Sequence, residues 1–129
     1  MSGFAFESNT AFLKAPAAAA QPYAVAGIAW DGATTNRPGA RFGPRAIRTA
    51  SHMLCDGTHP HFNVSPISGL GALGDAGDLA LPNTSLAAMR SAMTPLIAPL
   101  LARHHMVWLG GDHSITLPLL RAYKAHLGR

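Results

Sequence analysis

Leu109-Gly110-Gly111-Asp112-His113-Ser114 joins an apolar run to a helix through two glycines, and the order of elements follows from it. It follows Met106-Val107-Trp108-Leu109, an apolar run with the length of a short buried strand. It precedes Ile115 to Leu127, which reads as a helix. Pro118 is tolerable only in a first turn, so that helix is expected to begin near Thr116. A Gly-Gly turn therefore carries Asp112 and His113 to the carboxyl end of a strand, where open α/β sheets hold their ligands. A carboxylate oxygen and an imidazole both bind divalent metals. Ser114 can cap the helix. Taken alone, the pair reads more simply as a strand-to-helix turn with a capping serine and a histidine bonded to backbone.

Working outward, Tyr23 to Trp30 is nearly all apolar, as expected of a strand covered on both faces, and Asp31 closes it. The loop from Gly32 to Gly43 is rich in turn formers and carries Arg37 and Arg41. On residue type alone, these two arginines are solvated or ion-paired at an interface. Pro44 suits the first position of a helix from Arg45 to about Ser51. Ile67 to Leu73 is expected to be a second, weaker strand, with Asp75 and Asp78 at its carboxyl end as turn formers or rim carboxylates.

Pro82-Asn83-Thr84-Ser85 signals a helix start. Leu86, Met89, Met93, Leu96, Ile97 and Leu100 then fall on one helical face, a core stripe. Pro95 and Pro99 are expected to interrupt that helix, or Pro95 to restart it. Gly128 reads as the stop of the last helix. His104 and His105 fall at the amino end of the third strand, away from a crevice. His59 and His61 flank Pro60 without a third donor nearby.

The order strand, helix, strand, helix, strand, helix predicts an α/β fold, a three-layer parallel sheet. It also sends Asp31, Asp75, Asp78, Asp112 and His113 to one sheet edge.

Composition narrows the function. Apolar residues are 48% of 129, so a packed domain is expected. The net charge of +4 reflects only six acidic residues, and the ten Lys and Arg form no run, so nucleic-acid binding is not expected. Cys55 is the single cysteine, read as a buried or semi-buried thiol, and fits a reducing, cytoplasmic setting. No apolar run reaches the ~18 residues of a membrane span. Residues 1–21 lack the pattern of a signal peptide and are expected to form a mobile arm before a domain at 22–129.

Gly110-Gly111-Asp112-His113-Ser114, with Ile115 to Arg121 after it, resembles the first metal-ligand motif of the ureohydrolases, the arginase and agmatinase family. The loop and helix from Thr34 to Arg48 are similar to the amino-terminal signature of agmatinase-like members. The resemblance runs from about Ala24 to Gly128. It implies an arginase-like sheet, incomplete in this chain. It also implies hydrolysis of a guanidino substrate with release of urea, two Mn²⁺ per site and a homo-oligomer when complete. Agmatine is the first expected substrate, with putrescine as product, and guanidinobutyrate is the alternative. By the same resemblance, His113 is a metal ligand and Asp112 orients the site from behind. Asn36, Arg37 and Arg41 lie at the rim or a subunit contact. The family's later Asp-Ala-His-x-Asp and Asp-x-Asp motifs do not occur here, so the stretch is expected to be inactive alone. A second expectation is a non-catalytic fragment or pseudo-enzyme acting through the loop from Asn36 to Arg48. A hydrolase built on His113 and Ser114 is disfavoured, because no Gly-x-Ser-x-Gly elbow is present.

Overall fold

A computed structural model describes residues 4–6, 10–54 and 56–128. Cys55, expected as a buried thiol, lies outside the described residues. Three strands, β1 (Tyr23–Ile28), β2 (Leu73–Asp78) and β3 (His105–Gly110), alternate with three helices, α1 (Gly43–Ser51), α2 (Leu86–Leu101) and α3 (Thr116–Leu127). All pairings are parallel in the order β2-β1-β3, with Tyr23 in register with both Leu73 and His105. The predicted three-layer parallel α/β fold is the one observed.

The central position of β1 explains its composition. Ala24, Val25, Ala26 and Ile28 are essentially inaccessible, as in a parallel strand covered on both faces. Ala24, Ala26 and Ile28 join Met89, Met93, Ile97 and Leu101 of α2 and Ala122 of α3 in the larger core. Val25 turns the other way, onto Leu73, Leu109, Phe12 and Ile67. β3 lies at an edge of the sheet, with Met106 and Leu109 buried and Val107 about half exposed.

Two expectations need correcting. The second strand is not Ile67 to Leu73. Residues 66–70 form turns that lead into 71–72: Ser65 Oγ accepts from the N–H groups of Ile67 and Ser68, and Ala72 N–H donates to Pro66 O at 2.8 Å. The strand is instead Leu73–Asp78, which includes two aspartates that single-sequence propensity excludes. Burial of both carboxylates against Arg48 overrides that preference. The prolines, for their part, do not interrupt α2, which is one helix with Ser85 Oγ accepting from Ala88 N–H at its start. Pro95 and Pro99 are four residues apart on the exposed side. Each removes one backbone donor on the side of the helix away from the Met89-Met93-Ile97-Leu101 stripe, which packs in the core.

Other elements match their expected spans closely. Pro44 stands in the first turn of α1, α3 begins at Thr116, and Gly128 ends it in the left-handed conformation at φ 68°. Residues 10–20, part of the segment expected as an arm, hydrogen-bond to the domain. Phe12 N–H donates to Asp75 Oδ2 at 2.7 Å and Leu13 N–H to Ser51 Oγ at 2.8 Å. Ala17 forms a parallel bridge with Asp75 on the outer side of β2.

Candidate active-site edge

The carboxyl ends of β1 and β3 carry the candidate site. Past β1 the chain runs through Trp30 and Asp31 into the loop that ends at Gly43. Past β3 it turns at Gly110-Gly111, joined by a cis peptide bond, into Asp112 and His113. The turn lies hard against the end of β1, and Asp112 N–H donates to Trp30 O at 2.8 Å. Gly111 has φ 73°, and a Cβ there would stand 2.4 Å from Ile28 O, so both its conformation and its space demand glycine.

Asp112 is fully engaged. Its Oδ1 accepts from Ser114 N–H at 2.9 Å and from the Ser114 hydroxyl, and its Oδ2 accepts from Ala33 N–H at 2.9 Å. The cap is therefore Asp112 serving the His113–Ile115 turn, rather than Ser114 serving the helix. With this carboxylate held on both oxygens, His113 is the residue that projects, and it is exposed.

Asp31 is buried and faces Arg41. Its Oδ1 accepts from Arg41 Nε at 2.6 Å and lies 2.5 Å from Nη2, while Oδ2 accepts from Gly39 N–H at 2.7 Å. The hydrogen bond from Arg41 holds the Asp31 carboxyl below the usual range against the opposing effect of burial, and the same pair raises Arg41. Asn36 and Arg37 stand exposed on the same loop.

Not every predicted residue reaches this edge. Asp75 lies in mid-strand; Asp78 is the last residue of β2, at its carboxyl end as expected, but both turn to Arg48, a fully buried guanidinium of α1. Arg48 Nε and Nη2 fork onto Asp75 at 2.8 and 2.9 Å, and Nη1 donates to Asp78. Asp75 also bonds its own backbone, Oδ1 accepting from Gly77 N–H at 2.8 Å. Burial pushes the Asp75 carboxyl up, but the Arg48 bonds and the Phe12 and Gly77 N–H groups outweigh it, so the pKa is lowered. Arg48 was not singled out from the sequence. The signal was its place with Pro44 and Ser51, four before and three after, on one helical face. The other histidines are elsewhere. His104 Nδ1 is bonded to Gln21 O at 2.6 Å, and His59 Nδ1 accepts from His61 N–H. Buried Trp30 Nε1 has no partner among the described residues.

Two-metal chemistry needs several convergent donors. Among the described residues no group of three or more His, Cys, Asp or Glu is placed to hold a metal ion. Asp31 is committed to Arg41 and Asp112 to the turn, which leaves His113 as the donor at this edge. These residues alone therefore do not fit a complete metal centre. No helix of the described residues is long and apolar enough to cross a membrane.

Residues 21–129 match the arginase family model. An agmatinase from Cronobacter sakazakii is 38% identical over 109 residues, 83% of this chain and 35% of the relative. The structure of proclavaminate amidino hydrolase from Streptomyces clavuligerus superimposes with a TM-score of 0.74 at 30% identity, over 96% of this chain and 42% of that one. A Trypanosoma cruzi formiminoglutamase solved with Mn²⁺ shares the fold at a TM-score of 0.65 and 24% identity, over 81% of this chain and 35% of that one. The chain thus spans between a third and a half of the length of the proteins it matches. On the family match over residues 21–129, the chain belongs to the arginase family.

Proposed function

We propose that this stretch is the amino-terminal part of a manganese-dependent ureohydrolase. In the complete protein the reaction is hydrolysis of a guanidino group with release of urea, agmatine being the first substrate to test. The observation that carries the reading is the turn at the end of β3. There a fully bonded Asp112 leaves His113 exposed at the sheet edge, within a sequence similar to agmatinases over 83% of the chain. His113 is assigned as a metal ligand and Asp112 as the residue that orients it. When bound, two Mn²⁺ ions supply a water nucleophile at neutral pH. The remaining donors come from outside the described residues, and this stretch is inactive alone. The complete enzyme is proposed to be a cytoplasmic homo-oligomer, with Asn36, Arg37 and Arg41 at the rim or subunit contact. The similarity to proclavaminate amidino hydrolase keeps the substrate at the level of a guanidino compound.

The test is urea release by the complete encoded polypeptide with Mn²⁺ and agmatine or guanidinobutyrate, against its His113→Ala variant. Loss of both metal affinity and urea release in the variant supports the assignment; unchanged Mn²⁺ affinity overturns it. The absence of a three-donor cluster among the described residues favours one second reading, a non-catalytic partner acting through the loop from Asn36 to Arg48. That reading predicts no Mn²⁺ affinity and capture by a full-length relative.

A further inference from the structure

We infer that Asp31 and Arg41 are positioning residues for His113, acting through the loop between them; the inference rests on the proposed role of His113. They act on His113 through the chain rather than by touching it: together they close the loop into a ring. Asp31 accepts from Gly39 N–H and Arg41 N–H as well as from the Arg41 guanidinium. Asp31 O also accepts from the Thr34 hydroxyl at 2.8 Å. The nine residues between Asp31 and Arg41 are thereby shut at their base by a buried carboxylate.

The closed ring then holds the Gly110–Asp112 turn by two hydrogen bonds, and the chain just past it packs on the same turn. Ala33 N–H donates to Asp112 Oδ2 at 2.9 Å on one limb. Gly111 N–H donates to Ala40 O at 3.4 Å on the other. Just past the ring, Gly43 passes so close that a Cβ would stand 2.5 Å from Gly110 O. His113 follows this gripped turn directly, so its backbone direction depends on the loop. Arg41 fits the task because its planar fork engages one carboxylate with two nitrogens and stays charged. Its other face is covered by Phe6, whose ring centroid lies 5.0 Å from Arg41 Cζ. A surface ion pair used only for stability would need neither the backbone bonds nor the contacts with the turn.

The experiment compares the complete encoded polypeptide with its Arg41→Gln and Arg41→Lys variants, by NMR of ¹³C-labelled histidine rings after removal of paramagnetic Mn²⁺ and by steady-state urea release with Mn²⁺ restored. Arg41 is partly exposed, so both variants are expected to fold. In Arg41→Gln the His113 ring signal moves or broadens while that of His104, anchored to Gln21 at the opposite sheet end, stays in place. With it, kcat falls about ten- to a hundredfold while KM changes less than about twofold. Arg41→Lys keeps a cation beside Asp31 and returns the His113 signal part of the way. An unmoved His113 signal in Arg41→Gln overturns the inference, whatever the turnover. The ring signals need no turnover, so a wild-type protein that releases no urea defeats the functional reading while the positioning role is still decided.

Discussion

Arg48 forks onto Asp75 inside the protein, Nε 2.8 Å from Oδ2 and Nη2 2.9 Å from Oδ1, with the guanidinium fully buried. The same guanidinium reaches Asp78, so α1 is tied to two points of β2. Asp75 in turn accepts from Phe12 N–H, which links the amino-terminal segment to the same group.

Removing this cation strips the carboxylates of their buried partner. Arg48→Met is expected to destabilise the fold by about 3–5 kcal/mol, the range for breaking a buried pair from one side. Urea denaturation of the complete protein measures it. A loss under about 1 kcal/mol would mean that the pair is not buried in solution.

Acid should weaken the fold through the two depressed carboxyls, Asp31 and Asp75. A carboxyl whose folded pKa lies below its unfolded value contributes fully above the unfolded value. It loses that contribution as pH falls through the folded one. The stabilisation is therefore complete above about pH 5 and declines below about pH 4. In denaturation midpoints from pH 7 to pH 3, the gap between wild type and Arg41→Gln is expected to shrink at the acid end. A gap independent of pH would show that Asp31 gains nothing from Arg41.

Asp112→Asn keeps the size of the side chain but replaces one acceptor oxygen with an NH₂ group. Either Ala33 N–H or the Ser114 pair then faces a donor. The expected result is a loss of about 10- to 100-fold in Mn²⁺ affinity of the complete protein, with the fold retained. Titration by calorimetry, with circular dichroism alongside, checks both halves.

Gly111→Ala places a Cβ 2.4 Å from Ile28 O and 2.8 Å from Trp30 O, at a φ of 73°. Both obstacles are backbone atoms, so the turn must shift. A loss of about 1–3 kcal/mol is expected, together with reduced urea release. Wild-type stability and turnover in this variant would rule out the close approach of the two strand ends.

The fold class was legible in the residues alone, because strand-like and helix-like segments alternate along the chain and the short, turn-bounded apolar run from Tyr23 to Trp30 fits a strand buried on both faces. The sequence also placed Asp112 and His113 at a strand's carboxyl end, since Gly-Gly between an apolar run and a helix leaves the chain little else to do. Residues 67–78 were not legible in this way. Leu73–Asp78 holds two aspartates and two glycines, and no local pattern makes it a strand. It becomes one because Arg48, 27 and 30 residues away in sequence, neutralises both acids once α1 packs on the sheet. The same holds for Asp31 and Arg41, whose pairing depends on loop closure, and for Pro95 and Pro99, whose side of α2 is exposed only because the opposite side is buried. Tertiary structure decided these points because charge pairing and burial are properties of neighbours in space, and local sequence does not state who those neighbours are.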